Sequence, residues 1–546
     1  MKKNIYLLSL LFLIVIGCSK SEVQPDPAPP VVIPPTSAPR VSGPSAGSFT
    51  SDRKYNLNVI YFVPKNIEAI PDHEKRLSEM LLWSQNWFKS QMSNAGYGDK
   101  TFGLFVNDAK TRIRIITIYG KKVSTDYPYD GGSTAVMDEV NAYFAENPTY
   151  KTGDHNLVIL PLYGKKADGV TPTGGPFYGI GKTCFALDYD ELDIKNLGKT
   201  DALGSRFSVW FGGMVHELGH GLNLPHNCQK VSENSNPNKG MALMWGGNGT
   251  IGISPTFLTD ADCAVLNVNQ IFNTDTKDYY GSSTGSITSI SATYNSSKQA
   301  IVLSGKYISS LPVNSVIYYN DPNVNNEGTG ANRDYNAVTW ESKATGGDSF
   351  YIEMPVSEFT YKDNSTPYEL RVKLVQNNGN AIATSYAYNF VDGVPVVNFS
   401  TKAELSKTGW TINSFSSEET SGEPTPNGKA INLIDNDVNT YWHSKWSSAA
   451  TSFPHQIVVD LGSSKNALGL VLVQRGGLNR SIKDFEVLVS NDNTSFTSLT
   501  TSTLANLNGK QYFDFSSQKT FRYLKFIAKN GHDGSQFAAL AEIGLY

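Results

Sequence analysis

Three histidines and one glutamate lie within the stretch HELGHGLNLPH, which runs from His216 to His226. The whole chain of 546 residues contains only 8 histidines, so the cluster indicates a specific role. His216 and His220 are four residues apart, and on a helix this spacing brings both imidazoles to one face, where they can hold one cation. Glu217 projects about 100° further round such a helix, where its carboxylate can reach a metal-bound water. The pattern predicts a catalytic metal site.

A third ligand requires the chain to turn back after His220, because a continuing helix would carry His226 away from the site. Pro225 cannot donate a helical hydrogen bond, and Asn223 is one of the few non-glycine residue types that accept a left-handed backbone. We therefore expect the helix to stop there and His226 to return to the metal. Three imidazoles with an open fourth position suit catalytic zinc, and Glu217 would take the proton of the attacking water.

The stretch resembles the signature of metzincin zinc metallopeptidases, H-E-x-x-H-x-x-G-x-x-H, with Asn223 in place of the glycine. The resemblance implies that the three histidines bind zinc and that the glutamate is the general base of peptide-bond hydrolysis. It also implies a methionine turn under the metal, for which residues 240–249 offer Met244. An extended substrate would pair with an edge strand, which we expect within residues 174–188.

Other interpretations of the histidine cluster remain open. The histidines can be structural and satisfied by hydrogen bonds within a helix, or they can hold a metal in an inactive binding module. A zinc site can also hydrolyse a non-peptide amide or an ester.

The residues around this cluster predict the elements that position it. From 51 to 282, short apolar runs typical of buried strands alternate with amphipathic runs typical of helices. We predict an α/β domain with a mostly parallel sheet over this range. The strand-like runs lie at 57–63, 112–120 and 155–164.

The rest of the chain is rich in predicted strands. Residues 283–395 have short strands separated by Asn, Gly, Asp and Pro, and we predict an immunoglobulin-like β-sandwich. Residues 396–546 resemble discoidin domains, also called coagulation factor V/VIII type C domains, in AINLIDNDVNTYWHSKW, in SIKDFEVLVSNDNTSF and in the terminal AEIGLY. This resemblance implies an eight-stranded jelly-roll-like sandwich. Many bacterial members are family 32 carbohydrate-binding modules, and others bind protein or lipid.

The discoidin resemblance implies two sites. One is a structural calcium ion, which takes six to eight oxygen ligands, although Asx turns can also close such a loop without an ion. The other is a shallow sugar site with an aromatic wall and polar groups that bond sugar hydroxyls. The calcium candidates are Asp435, Asp437, Thr440 and Glu542. The sugar candidates are His443, Trp446, Arg475 and Asn479.

The N-terminus predicts export. MKKNIYLLSLLFLIVIGC has two lysines followed by an apolar core, which is typical of a signal peptide over residues 1–17. The small residue before Cys18 resembles a bacterial lipobox and implies a lipid anchor on that cysteine; the alternative is a plain signal peptide. Residues 18–50 are rich in proline and predict an extended tether. We expect the protein at the bacterial outer membrane or cell surface.

The cysteine content and the net charge limit the possible disulfides and binding partners. An oxidising compartment permits one disulfide, for which we expect Cys228 and Cys263, and leaves Cys184 as a thiol. The net charge of -4 and the pI near 6.1 give no electrostatic footprint for nucleic acid.

Together these patterns predict a multidomain, lipid-anchored zinc metallopeptidase that hydrolyses glycoproteins bound through its C-terminal domain. The competing class is a surface adhesin that binds glycans and has a structural or inactive metal site.

Overall fold

The computed structural model describes residues 40–169, 171–324, 333–400 and 404–546. The predicted signal peptide, Cys18 and most of the predicted tether lie outside these residues. Contacts divide the chain into two compact units. The first holds the described residues up to Thr284 with Ser310–Lys343 and Lys373–Ile382, and the second holds Gly285–Ser309, Ala344–Val372 and Ala383–Tyr546. In the described part of the chain, no helix combines the length and apolar character needed to cross a bilayer.

A six-stranded sheet lies at the centre of the first unit. The first eight strands are β1 (Gly43–Pro44), β2 (Asn58–Val63), β3 (Ile116–Tyr119), β4 (Asn156–Pro161), β5 (Gly164–Lys165), β6 (Pro172–Thr173), β7 (Gly179–Ile180) and β8 (Thr183–Asp188). The sheet order is β1-β3-β2-β4-β8-β7, and β5 pairs with β6 separately. Strands β3, β2, β4 and β8 run parallel, whereas β1 and β7 are antiparallel to their neighbours. The predicted mostly parallel sheet is confirmed.

Helices cover both faces of this sheet. They are α1 (His73–Asn94), α2 (Gly132–Glu146), α3 (Ala202–Gly221), α4 (Val231–Asn234) and α5 (Asp260–Asn267), with β9 (Met241–Ala242) and β10 (Thr256–Phe257) between α4 and α5. Alternate residues of β2 point to opposite faces, as the pleat of a strand requires. Val59 belongs to the core shared with α1 and α3, and Ile60 belongs to the core shared with α2. The predicted amphipathic helices therefore anchor the sheet on both sides.

The segment after the first sheet folds into further strands. They are β11 (Gly285–Asn295), β12 (Ala300–Ser309), β13 (Val313–Pro322), β14 (Val338–Ser342), β15 (Ser349–Pro355), β16 (Pro367–Gln376), β17 (Ala381–Val391), β18 (Val394–Val396) and β19 (Asn398–Ser400). They form a four-stranded sheet, β15-β12-β11-β19, and a five-stranded sheet, β14-β13-β16-β17-β18. The prediction of a strand-rich region here is confirmed, and its immunoglobulin-like type stays a prediction.

The C-terminal domain is a single hydrogen-bonded network of seven strands. They are β20 (Thr411–Phe415), β21 (Trp442–His443), β22 (His455–Gln474), β23 (Asp484–Ser490), β24 (Thr497–Thr503), β25 (Lys510–Ala528) and β26 (Ala539–Leu545). Their order is β21-β26-β22-β25-β23-β24, and β20 also pairs with β22. The resemblance implied eight strands, but the described residues form seven. The long β22 and β25 pair along most of their length through two register shifts, where bulges bend the strands.

Candidate functional site

Helix α3 carries His216, Glu217 and His220 in its last two turns. The side chain of Asp201 caps its N-terminus by accepting a hydrogen bond from the Gly204 N–H at 2.7 Å. The helix is buried on almost every side near the histidines, which anchors the imidazoles in the core of the first unit.

The helix ends with a left-handed residue, as predicted. Asn223 has a φ of 71°. The Leu224 N–H donates to the Gly219 carbonyl and the Asn223 N–H donates to the His220 carbonyl, at 3.0 and 2.9 Å. These two bonds form a Schellman motif, which satisfies the last carbonyls of the helix and reverses the chain. The reversal brings His226 back to α3.

The three histidines converge on one point. The Nε2 atom of His226 lies 3.0 Å from Nε2 of His220 and 3.4 Å from Nε2 of His216. In the described part of the chain they form the one group of three or more potential metal ligands, with ligand atoms within 4.8 Å of one another. We call these three histidines and Glu217 the metal centre, because they are the candidate ligands and the candidate base of a metal site.

The hydrogen-bond partners of His216 and His220 show which ring nitrogen carries the hydrogen. Nδ1 of His216 lies 2.8 Å from the Leu243 carbonyl, and Nδ1 of His220 lies 2.8 Å from the Leu224 carbonyl. A carbonyl can only accept, so each Nδ1 carries the hydrogen and each Nε2 presents a lone pair. Burial lowers the pKa of His216 to about 3 and also lowers the pKa of His220, which keeps both rings neutral. Facing lone pairs fit a cation, and neutral imidazoles are ligands for zinc.

Glu217 follows His216 on α3 and is buried. The backbone of Gly179, on the edge strand β7, hydrogen-bonds to the Glu217 carboxylate and favours its ionised form, whereas burial raises its pKa to about 8. Its Oε2 atom is buried without a hydrogen-bond partner. A side chain at Gly179 would collide with His220, since an added Cβ would lie 2.2 Å from the His220 Cβ. The edge strand expected within residues 174–188 is therefore present, and it approaches the metal centre closely.

Met244 lies against α3, although not as a ligand. It is fully buried, and its Sδ atom would lie 2.6 Å from a Cβ added at Gly219. The preceding residue supplies the Leu243 carbonyl that orients His216. The segment that the sequence suggested as a methionine turn therefore supports the metal centre from the core side.

The C-terminal domain brings three of the four predicted sugar-binding residues together around Glu423, which sequence reasoning missed. The Tyr441 hydroxyl donates to the Glu423 carboxylate at 2.5 Å, and the indole Nε1 of Trp446 donates to it at 3.2 Å. His443 Nε2 lies 3.8 Å from this carboxylate, and an Arg475 guanidinium nitrogen lies 3.6 Å from it. We call these five residues the Glu423 cluster.

Asn479, the fourth candidate, forms no hydrogen bond or ion pair with the Glu423 cluster in the part of the chain that the structure describes. Glu423 sits in GEPTP, and no spacing in that segment connects it with His443. The sequence offered no signal for it.

A second glutamate holds the loop that carries the tryptophan. The Glu419 carboxylate accepts hydrogen bonds from the backbone N–H groups of Ser421, Gly422, Trp446 and Ser447, at 2.8 to 2.9 Å. These bonds lower the pKa of Glu419 against the opposing effect of burial. The Trp446 side chain stays 41% exposed, so one aromatic face is accessible to a ligand.

The predicted calcium ligands form a loop closed by its own hydrogen bonds. The Asp435 carboxylate accepts from the Thr440 hydroxyl at 2.6 Å, and the Asp437 carboxylate accepts from the Asn439 N–H at 2.9 Å. Glu542 is ion-paired with Lys407. One oxygen of Glu542, Oε1, is buried without a partner, as a cation ligand would be, but the lysine ammonium already supplies positive charge there. The residues fit calcium only in part, and calcium stays a prediction.

Comparison with known proteins gives similarities of two kinds. Residues 412–543 match the F5/8 type C domain. A stretch of 141 residues is 30% identical to a sialidase of Micromonospora viridifaciens, and it makes up 26% of this chain and 21% of that relative. The chain therefore spans about a fifth of the length of this curated relative. The discoidin resemblance of the C-terminal domain is confirmed.

The second match is to OgpA from Akkermansia muciniphila. The wild-type OgpA structure is 33% identical, with a TM-score of 0.58, over 64% of this chain and 96% of that chain. A catalytically inactive OgpA in complex with an O-glycopeptide substrate, glycodrosocin, is 32% identical, with a TM-score of 0.59 and the same coverage. The chain belongs to the family of OgpA.

One site prediction for this OgpA-family chain is wrong. Cys228 and Cys263 are not joined by a disulfide. Cys263 is buried on α5, and its Sγ lies 3.9 Å from the Gln91 carbonyl of α1. Cys228 forms a backbone bridge with Val338 instead. The two cysteines face different elements, because closeness along the chain does not fix the distance between sulfur atoms.

The left-handed end of α3 generates the first prediction. Replacing Asn223 with alanine should destabilise the first unit by about 1–2 kcal/mol, because alanine has no side-chain compensation for a left-handed backbone. Asn223→Gly should cost less, because glycine adopts this conformation freely. The measurement is the midpoint of the thermal transition in which the first unit unfolds.

Asn86→Ala, at an exposed position of α1, is the matched control and should not lower that midpoint, because alanine is the better helix former. An Asn223→Gly variant as unstable as Asn223→Ala would contradict the conformational explanation. It would assign the effect to the hydrogen bond between the Asn223 side chain and Tyr280.

Proposed function

We propose that this chain is a zinc-dependent peptidase that hydrolyses peptide bonds in O-glycosylated proteins. The observation that carries the proposal is the convergence of three imidazole Nε2 atoms, with the buried, unpartnered oxygen of Glu217 on the helix that carries two of them. The family membership supports it, since OgpA binds an O-glycopeptide substrate. Within this proposal the chain is of the metzincin type, which the order of its three histidines supports.

His216, His220 and His226 would hold the zinc ion. When bound, zinc polarises the scissile carbonyl and makes a water molecule more acidic. The Oε2 atom of Glu217 accepts the proton of the attacking water and returns it to the leaving nitrogen. The N–H of Gly179 keeps the other side of this carboxylate fixed. The edge strand β7 offers backbone groups to an extended peptide beside this carboxylate.

The Glu423 cluster supports a proposed glycan site in the C-terminal domain. Arg475 and His443 can donate to sugar hydroxyls, Glu423 can accept from them, and the exposed face of Trp446 can stack on a pyranose ring. The Arg475 guanidinium balances the charge of the Glu423 carboxylate, so the cluster has no net charge with which to attract an ionic sugar. We therefore assign it to uncharged sugars, which would direct the enzyme to glycoproteins.

Glu217 provides the test of catalysis. We expect Glu217→Gln to lower the rate of O-glycopeptide cleavage by about 10²–10⁴-fold, because general base catalysis typically contributes that much. The variant should retain about one zinc per chain, measured by atomic emission, because the three histidines are unchanged. Removal of zinc by a chelator should abolish wild-type cleavage, and added zinc should restore it.

Glu146→Gln, on the exposed surface of α2, is the matched control and should cleave at the wild-type rate. Cleavage of the same peptide without its sugar tests whether the enzyme requires the glycan. Cleavage of an ester analogue tests whether it also hydrolyses a bond other than a peptide bond. Wild-type turnover in Glu217→Gln, or turnover that survives complete zinc removal, would disprove the mechanism. Glycan binding without any cleavage would favour the adhesin.

Trp446→Ala tests the glycan site. We expect it to weaken binding of uncharged glycans about tenfold, which equals about 1.4 kcal/mol, because the stacking face is lost. The measurement is titration calorimetry with the full chain. Phe415→Ala removes another exposed aromatic ring of the same domain, 43% exposed, and should bind as the wild type does. Unchanged affinity in Trp446→Ala would contradict the proposed site.

We also propose that the chain is exported and anchored through Cys18. The support is the N-terminal sequence alone. Cys18→Ser should convert the membrane-bound protein into a form released without detergent, because the acylated thiol is lost. Cys184→Ser, at a buried position of β8, is the control and should remain in the membrane fraction. Membrane association of both variants in a bacterial host, shown by immunoblotting, would overturn the anchor.

A further inference from the structure

The turn before β14 lies at the metal centre, although the sequence assigned it to a separate sandwich. Residues 333–336 form this turn, and Asp334 within it has a left-handed φ of 76°. The Ala337 N–H donates to the Asp334 carbonyl at 2.9 Å and closes the turn. Asp334 and Ala337 are both buried. The turn is therefore a fixed feature of the first unit.

The chain after His226 is bonded to the same turn. The Cys228 N–H donates to the Ala337 carbonyl at 2.9 Å, and Cys228 forms a parallel bridge with Val338. On its other side, the Asn227 side-chain amide donates to the Asp262 carboxylate at 2.6 Å. His226 lies outside any helix, so these bonds hold its backbone in place.

The ring of Tyr335 stacks on the ring of His226. Their centroids are 3.7 Å apart and their planes differ by 19°. Backbone carbonyls orient His216 and His220 through Nδ1. The His226 ring has the broad face of an aromatic ring against its own. A stacked ring limits rotation of the imidazole about its side-chain bond. Because the Nε2 lone pair lies in the plane of the imidazole, the stack sets the direction of that lone pair.

The turn is tied to the first unit by a buried apolar cluster. Ala261 and Ala264 of α5 pack with Ile317 of β13 and with Ala337. Helix α5 also carries Asp262, which holds Asn227. Helix α5 and the strands on either side of the turn therefore form one support for His226.

We propose that Tyr335 is a positioning residue, which fixes the orientation of the His226 imidazole for metal binding. The strands β13 and β14 thus contribute to the metal centre and are not merely a spacer. The inference rests on the proposed zinc site. Residues that orient metal ligands typically change metal affinity by 10–100-fold when they are replaced.

The test compares Tyr335→Ala with Tyr335→Phe, which keeps the aromatic ring. Two readouts other than activity apply to the full chain: zinc affinity by competition with a chromophoric chelator, and the visible spectrum of the cobalt(II)-substituted protein, which reports ligand geometry. We expect Tyr335→Ala to weaken zinc binding about 10–100-fold and to shift the cobalt spectrum. Tyr335→Phe should match the wild type in both.

Tyr351→Ala removes a tyrosine of β15 that is 48% exposed, and should behave as the wild type does. Tyr335→Leu keeps most of the side-chain volume but has no aromatic face. It replaces Tyr335→Ala in both measurements if circular dichroism shows that the alanine variant does not fold. Wild-type affinity and an unshifted spectrum in a folded Ala or Leu variant would overturn the inference. A Phe variant as impaired as the Ala variant would overturn it as well.

The two proposals fail in different ways. If the wild-type chain binds no zinc, the proposed function fails. If the wild type binds zinc and cleaves its substrate while both readouts of Tyr335→Ala are unchanged, only the positioning role fails.

Discussion

His216 and His220 are neutral imidazoles whose Nε2 lone pairs point at one place and repel there, and Nε2 of His226 lies beside them. The metal centre depends on what holds these rings in place. In water, protonation of a ring would remove this repulsion. Burial lowers the pKa of His216 to about 3, so that ring stays neutral and the repulsion remains. The Leu243 and Leu224 carbonyls and the Schellman end of α3 hold two of the rings from the backbone. A divalent cation bound at this point would turn the arrangement from unfavourable to favourable.

The same burial determines what Glu217 can do. A carboxylate in an apolar site is costly when ionised, and this cost raises its pKa to about 8. Three neutral ligands leave the full charge of a divalent cation uncompensated, so a cation nearby would favour the ionised carboxylate. Metal binding and the protonation state of the base would therefore be coupled. A variant that disturbs the histidines would alter the base as well, even with its carboxylate unchanged.

The sequence predicted those features of the metal centre that depend only on residues close together in the chain. The spacing of His216 and His220 fixed their common face, and the left-handed tolerance of asparagine predicted the backbone at residue 223. No spacing rule predicts which side chains arrive from distant elements. Tyr335 reaches the metal centre, and Glu423 reaches its cluster, only through tertiary packing. The wrong disulfide has the same origin, since Cys228 pairs with a strand far along the chain.

The two proposed sites would recognise different parts of the substrate, the glycan in one case and the cleaved bond in the other. A glycan-binding domain on the same chain raises the effective concentration of a multiply glycosylated substrate near the catalytic unit, and it does so without choosing a bond. The choice of bond must then come from contacts within the first unit, where Gly179 leaves room beside His220 and β7 forms the edge of the sheet. Loss of glycan binding should therefore raise the substrate concentration needed for cleavage and leave the cleaved bond the same.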